Sequence, residues 1–126
     1  MTTFEDMELV LHKMVNDLPE DLFRELNGGV ILLPDVKMHD ASEGRDHLYV
    51  LGEYHNEPRG LGRYITVYFG SFMMLHSRLA PDRQKDKLRK ILYHEFTHHL
   101  ESLAGERELE IEDAKGILEY KLRRRR

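Results

Sequence analysis

The stretch that decides the fold is Leu88–Leu103, LRKILYHEFTHHLESL, in which apolar residues recur every three or four positions. That period is typical of an amphipathic helix that packs one side against a core. Pro81 or Asp82 suits the first turn, and Ala104-Gly105 suits the end, because glycine readily adopts the left-handed conformation that closes helices. The sequence therefore predicts one long helix, whose apolar side carries Leu88, Leu92, Phe96, Leu100 and Leu103.

Two histidines of this helix lie off its apolar side. His94 and His98 are four residues apart, so they stand one above the other on one face, and Ile91 is their only apolar neighbour on a helical wheel. Core histidines would instead be interleaved with the leucines. Together with Glu95 they form the pattern His-Glu-x-x-His, the spacing of helical zinc sites. Their position favours a metal site at the floor of a cleft.

The residue types in this pattern suit hydrolysis. Neutral imidazoles from His94 and His98, with a carboxylate as third ligand, would hold one Zn²⁺ and leave a fourth position for water, whose pKa the metal lowers toward about 7. Glu95 points about 100° away from the two histidines, so it suits a general base better than a ligand. The pattern predicts a hydrolase in which this water attacks a peptide carbonyl and Glu95 carries its proton to the leaving amine.

The third ligand is open at the level of the sequence, because several acidic residues follow His98. Glu101 lies on nearly the same stripe but about a turn beyond the metal, so it can also orient His98 as a hydrogen-bond partner. A chain reversal at Gly105 would favour Glu108 or Glu110. His99 faces the apolar side and is predicted to be a hydrogen-bonded structural histidine. The full set of acidic candidates is Glu101, Glu106, Glu108, Glu110 and Asp113.

Composition limits the class of protein. A chain of 126 residues predicts one domain, residues 1–122, followed by a solvated basic tail, residues 123–126. A net charge of −4 argues against a nucleic-acid partner. No apolar run has the length of a membrane span and the first residues do not resemble a signal peptide, so we expect no membrane partner and a cytoplasmic location. The absence of cysteine excludes thiolate ligands and leaves nitrogen and oxygen to hold zinc.

The rest of the chain predicts an α+β fold. A small sheet of three to four strands is expected to pack against N-terminal helices and the long helix. Thr3 is the predicted N-cap of the first helix, and Ser71 that of a short helix before the long one. His39 and His47 fall in a polar loop and are expected to be solvated. The remaining predicted elements are a short helix from Glu20 to Leu26, strands at Val30–Leu33, Leu48–Tyr54 and Arg63–Phe69, a hairpin between the last two strands, and a final helix at Leu109–Leu122.

The chain resembles the minimal zincin-like metallopeptidases, a family of small bacterial domains. The resemblance rests on Leu18-Pro19-Glu20-Asp21-Leu22 after the first helix, on the strand that ends in Ile65–Gly70, and above all on His94-Glu95-Phe96-Thr97-His98-His99. It implies a compact α+β fold, His94 and His98 as zinc ligands and Glu95 as general base.

The sequence departs from the family after the second histidine. The usual continuation is x-x-Gly-x-x-Asp, whereas Glu101 and Ala104 occupy those positions here. An insertion of four residues, about one helical turn, would let Gly105-Glu106-Arg107-Glu108 supply the glycine and the acid. That alignment makes Glu108 the first candidate for the third ligand and Glu101 the next.

Two functional hypotheses follow. The first is a zinc metallopeptidase acting on small or unstructured protein segments, in a cleft between the long helix and an edge strand that pairs with an extended peptide. The second is a catalytically inactive zincin-fold module that binds metal or regulates a partner; the short chain offers little sequence for specificity pockets. Candidates for an oxyanion stabiliser rest on residue type alone and are Tyr54, His55, Arg63 and Tyr64.

Overall fold

The computed structural model describes residues 3–39, 48–104 and 116–120, and it has the predicted α+β class. Of the predicted final helix, residues 116–120 are described and are helical. The other residues of that helix, and the predicted tail at residues 123–126, lie outside the described part. The elements in chain order are α1 Phe4–Asn16, a 3-10 helix Glu20–Phe23, β1 Gly29–Leu33, β2 Gly52–Glu57, β3 Gly62–Tyr68, α2 Phe69–His76 and α3 Pro81–Ser102.

The first helix begins where the sequence predicts. The hydroxyl oxygen of Thr3 accepts a hydrogen bond from the amide of Asp6 at 3.1 Å, and the Asp6 carboxylate accepts one from the amide of Thr3 at 3.2 Å. This reciprocal pair satisfies two of the amides that a helix start leaves without partners. The predicted second helix is shorter than expected: it is a single 3-10 stretch that ends at Phe23, and Glu25 adopts a positive φ of 59° that no helix continues through.

The sheet has the order β1-β3-β2. Strands β2 and β3 form the predicted antiparallel hairpin, with Gly52 opposite Val67 and Glu57 opposite Gly62, and β1 pairs with β3 in parallel. Ile65 and Val67 of the central strand are fully buried. Strand β2 is therefore an edge strand of the described sheet, and α3 contacts both β2 and β3.

The predicted strand at Leu48–Tyr54 is divided between two partners. Its second half joins the sheet as the start of β2, which continues to Glu57. Its first half instead pairs with the segment before it: Met38 and Tyr49 form an isolated bridge, and the amide of His39 donates to the carbonyl of Leu48 at 2.7 Å. Alternation of apolar residues cannot reveal such a division, because both halves are extended.

Ser71 does not cap α2, contrary to the prediction. The helix begins two residues earlier, at Phe69, and Ser71 is fully buried inside it. The Ser71 hydroxyl accepts a hydrogen bond from the amide of Lys37 at 2.7 Å and donates one to the carbonyl of the same residue at 3.0 Å. These two hydrogen bonds hold the segment that contains Lys37 against α2.

The long helix fixes the orientation of the candidate site. It begins at Pro81, as predicted, and its predicted apolar side is buried: Leu88, Leu92 and Phe96 are 0% exposed. These side chains join the buried side of α1 and the sheet in one core. Burial of that side turns the opposite side of α3 outward. No helix among the described residues combines the length and apolarity needed to cross a bilayer.

Candidate metal centre

His94 and His98 converge on the exposed side of α3. Their Nε2 atoms lie 3.0 Å apart and their rings are nearly perpendicular, at 87°. Two nitrogens that each lie about 2.05 Å from one tetrahedral zinc ion are about 3.3 Å apart. The observed separation suits a hydrogen bond between the two rings and is also within a few tenths of an ångström of the zinc value, so the two nitrogens are close enough for one zinc ion to bind both.

Glu95 lies beside the histidine pair but is buried. Only 6% of the residue is exposed, and its Cγ lies close to the backbone of β2, where a Cβ placed on Gly52 would be 3.3 Å from it. Burial raises the pKa of Glu95, the nearby His94 and His98 lower it, and the charge of Glu53 raises it further; the net direction is upward. The carboxylate therefore holds a proton more readily than an exposed glutamate does.

Glu101 contacts the far side of His98. Its Oε2 atom is 3.9 Å from Nδ1 of His98, whereas the Nε2 atom of the same ring faces His94. A carboxylate near Nδ1 favours a proton on that nitrogen and leaves the lone pair of Nε2 for a metal ion. This contact fits the orienting role considered for Glu101 and does not place its carboxylate beside both Nε2 atoms.

The structure leaves the third ligand unassigned. Glu108, the first candidate, lies outside the described residues, as do Glu106, Glu110 and Asp113. Within residues 3–39, 48–104 and 116–120, no group of three or more histidine, aspartate or glutamate side chains is arranged to hold a metal ion. The described residues thus provide two nitrogen donors and a neighbouring carboxylate.

An open cleft of about 870 Å³ separates α3 from β2 at this point. The close contact between the two elements depends on Gly52, because a Cβ there would lie 2.8 Å from Cγ2 of Ile91. The histidine pair and Glu95 form the helical wall of the cleft. Its lining residues are His39, Gly52, Glu53, Tyr54, His94, Glu95, His98, Glu101 and Ser102.

Sequence reasoning missed two residues of this cleft. His39 is exposed, as expected, but it also lines the cleft, because its backbone pairs with Leu48. Glu53 stands on the opposite wall and accepts hydrogen bonds of 2.5 Å from Lys37 Nζ and from the Tyr68 hydroxyl. Burial alone would raise the pKa of Glu53, but these two hydrogen bonds hold it below its ordinary value. No local sequence pattern indicates that either residue lines the cleft, because each reaches it through pairing with residues distant in sequence.

His99 has the structural role that was predicted. It is 0% exposed, its Nδ1 atom lies 2.9 Å from the Tyr54 hydroxyl, and its Nε2 atom lies 2.8 Å from the carbonyl oxygen of Arg24. The carbonyl can only accept, so Nε2 carries the proton and Nδ1 accepts from Tyr54. Burial lowers the pKa of His99 and keeps the ring neutral.

The other polar side chains considered for oxyanion stabilisation are also held by neighbours. Besides Tyr54, Arg63 donates to the Ser102 hydroxyl at 3.3 Å, and His55 bonds Thr66 at 2.9 Å while stacking on Tyr64. The Arg63 bond links β3 to α3, and the His55 bond links β2 to β3. We assign none of the four to catalysis.

The fold and the site define a small α+β protein whose long helix presents two imidazoles and a buried carboxylate to a cleft. No protein-family model matches the chain, and a search of curated proteins finds no match. Among solved structures, a conserved hypothetical protein from Thermus thermophilus is similar, with a TM-score of 0.70 and 32% sequence identity over 82% of this chain and 99% of that chain. The chain belongs to the same family as this Thermus protein.

Proposed function

We propose that the protein is a zinc-dependent metallopeptidase in which His94 and His98 are two ligands of one Zn²⁺ and Glu95 is the general base. One observation carries the proposal: the two Nε2 atoms converge to 3.0 Å on the exposed side of α3, beside a buried carboxylate and facing an open cleft. Two imidazoles that bind one ion need this convergence. The substrate is a peptide or protein segment that enters the cleft.

With zinc bound, Glu95 and Glu101 would have different roles. A bound zinc ion supplies a water of lowered pKa and polarises a carbonyl oxygen. Glu95 accepts the proton of the attacking water and passes it to the leaving amine. Burial supports this role, because it moves the pKa of Glu95 upward, toward the range in which a general base is effective near neutral pH. Glu101, near Nδ1 of His98, orients that imidazole.

Glu108 is proposed as the third ligand on the strength of the resemblance to zincin-like metallopeptidases. Zinc sites with three protein ligands keep one position for water, and two histidines with one glutamate are a common set. Substituting Glu108→Ala should lower zinc affinity by a large factor, whereas Glu101→Ala should lower it by about 10-fold to 100-fold, as expected for an orienting residue. An unchanged zinc affinity in Glu108→Ala would show that another acidic residue is the third ligand.

Metal analysis combined with peptide cleavage tests the proposal. Purified wild-type protein should contain one zinc per chain, and His94→Ala should not, while His12→Ala on the exposed side of α1 is the matched control and should keep the metal. Glu95→Gln should keep zinc and lose about 10²-fold to 10⁴-fold in cleavage of a mixed peptide library. Wild-type protein without stoichiometric zinc contradicts the site and the mechanism together. Cleavage that survives Glu95→Gln excludes Glu95 as the base.

A second candidate function is a metal-binding or regulatory module without peptidase activity. The observation that favours it is that the described residues supply two metal donors and not three. This alternative predicts zinc binding by the wild type with no cleavage of any peptide in the library. A zinc-dependent cleavage that Glu95→Gln abolishes would exclude it.

A further inference from the structure

Three cations continue the stripe of α3 that carries the histidine pair. Arg83, Lys87 and Lys90 precede His94 and His98 at helical spacings of four and three residues, so all five lie along one side of the helix. The three cations are exposed, whereas Gln84 and Leu88 between them are buried. The stripe is therefore a continuous surface that leads from the histidine pair toward the start of α3.

A groove joins this stripe to the candidate metal centre. A cavity of about 470 Å³ has His94, Glu95, Ile91 and Lys90 on the helical side and residues 49–52 on the other side. It shares His94, Glu95 and Gly52 with the larger cleft. Lys90 thus lines the groove beside the candidate metal centre.

The charges along the stripe are separated by sign. Among the described residues, no carboxylate forms an ion pair with Arg83, Lys87 or Lys90, while Asp86 is taken by Arg89 at 2.9 Å. At the other end of the stripe, beyond His98, stands Glu101. A chain lying in the groove would meet positive charge on one side of the histidine pair and negative charge on the other.

We propose that the groove binds extended peptides that carry acidic side chains on one side of the scissile bond. This inference rests on the proposed peptidase function and specifies its substrate class. At 1.5 Å per residue of helix, Lys90, Lys87 and Arg83 lie about 6, 10 and 16 Å from His94 along the axis. An extended peptide advances about 3.4 Å per residue, so the preferred acidic positions are about two, three and five residues from the bond.

The expected selectivity is moderate because the cations are exposed. A single ion pair at a protein surface changes kcat/KM for the acidic peptide by about twofold to fivefold. Salt screens such pairs, so the preference for acidic over neutral peptides should shrink between about 0.05 M and 0.5 M NaCl. Reversing one groove charge removes an attraction and adds a repulsion, and therefore acts more strongly than neutralising it.

Sequencing the products of a mixed peptide library cut by the zinc-loaded full chain tests the inference. Cleaved bonds should have aspartate and glutamate enriched two to five residues away on one side. Lys90→Glu should lose this enrichment at the position about two residues from the bond and gain lysine and arginine there. Lys85→Glu makes the same charge change on the same helix but about 140° around the axis from Lys90, so it should keep the wild-type profile. Equal effects of both substitutions, or no acidic enrichment in the wild type, would overturn the inference.

A binding measurement separates this inference from the proposed function. Zinc-loaded Glu95→Gln protein is titrated into fluorescent peptides of one length that carry aspartate, asparagine or lysine in a block. The aspartate peptide should bind severalfold more tightly than the asparagine peptide, and addition of Lys90→Glu should reduce the difference. If the wild type cuts peptides without regard to charge, the inference fails and the peptidase stands. If it cuts none, yet the aspartate peptide binds and Lys90→Glu weakens it, the peptidase fails and the acidic-ligand groove stands.

The same titration distinguishes an acidic peptide from other polyanions. A single-stranded oligodeoxynucleotide with the same number of negative charges is added as competitor. Displacement of the aspartate peptide only at a much higher oligonucleotide concentration supports the assignment. Displacement at a lower concentration would show a general phosphate-binding surface and overturn the peptide assignment.

Discussion

Glu53 and Glu95 line the same cleft from opposite walls, and their surroundings move their pKa values in opposite directions. Burial raises the pKa of Glu95, and neighbouring histidines only partly offset that effect. Burial also acts on Glu53, but the hydrogen bonds from Lys37 and Tyr68 outweigh it and lower the pKa. Two carboxylates whose pKa values are driven apart suit different roles. Glu53 is a fixed anion of the cleft wall, and Glu95 is the group suited to accept a proton.

The fixed charge of Glu53 predicts a pH-dependent contribution to stability. Because its pKa is lower in the folded chain than the ordinary 4.5, its stabilising effect is complete above that value and is lost as the pH falls through the folded value. Glu53→Gln should lower the free energy of unfolding by about 1 kcal/mol at pH 7, a figure kept small because the Lys37 side chain is 43% exposed. Urea titrations of both proteins at a series of pH values measure the difference, which should shrink progressively as the pH falls below 4.5. A difference that stays constant with pH, or equals that of Glu8→Gln on the exposed side of α1, would contradict this account.

At the scale of elements, one glycine sets the distance between α3 and β2. A Cβ at Gly52 would lie 2.8 Å from Cγ2 of Ile91, closer than side chains in folded proteins approach, and 3.3 Å from Cγ of Glu95. Helix and strand would have to separate to admit it. The glycine therefore controls both the packing of α3 and the position of Glu95 in the cleft.

Gly52→Ala should consequently destabilise the chain by about 1–3 kcal/mol. Ile91→Ala removes the Cγ2 atom in question, so the double variant should be more stable than the sum of the two single effects predicts, by about 1 kcal/mol. Thermal or urea unfolding of the four proteins completes the cycle. Gly60→Ala is the matched control, because the atom nearest to a Cβ there would be Oε2, at the movable end of the Glu57 side chain, at 3.3 Å. Additive effects of Gly52→Ala and Ile91→Ala would show that their contact does not set the spacing.

His99 joins three elements from within α3. Through its two ring nitrogens it links the Tyr54 hydroxyl on β2 and the carbonyl of Arg24 after the 3-10 helix. His99→Leu keeps a similar volume but removes both hydrogen bonds of the buried ring, and it should cost about 1–3 kcal/mol of unfolding free energy. Tyr54→Phe removes one of the two hydrogen bonds and should cost about 1 kcal/mol. Equal losses in denaturant titrations of the two variants would mean that the bond to Arg24 contributes nothing.

Across the whole molecule, local sequence patterns predicted the helices that carry the candidate site. The residues that lie opposite α3 in the cleft are instead set by contacts between segments distant in sequence. The capping residues of α1, the start of α3 and its buried side follow from spacings of one to four residues, which the sequence displays directly. The position of His94 and His98 outside the buried side follows from the same period. The partners of Leu48 and Tyr49, the burial of Ser71 and the arrival of His39 at the cleft depend on residues about 10 to 34 positions away. No periodicity encodes those pairings.

Zinc binding at the proposed centre should be measurable as stability of the whole chain. A ligand that binds only the folded state stabilises it by RT ln(1 + [L]/Kd), about 2.7 kcal/mol at a free concentration of 100 Kd. For a chain of 126 residues this corresponds to a rise in melting temperature of roughly 10 °C, which should grow with the logarithm of the zinc concentration. Calorimetry of protein stripped with a chelator and titrated with zinc measures the shift. His94→Ala and His98→Ala should lose it, and His12→Ala should retain it. If zinc raised the melting temperature of His94→Ala equally, the ion would bind elsewhere on the molecule. That result would contradict the mechanism proposed for the histidine pair.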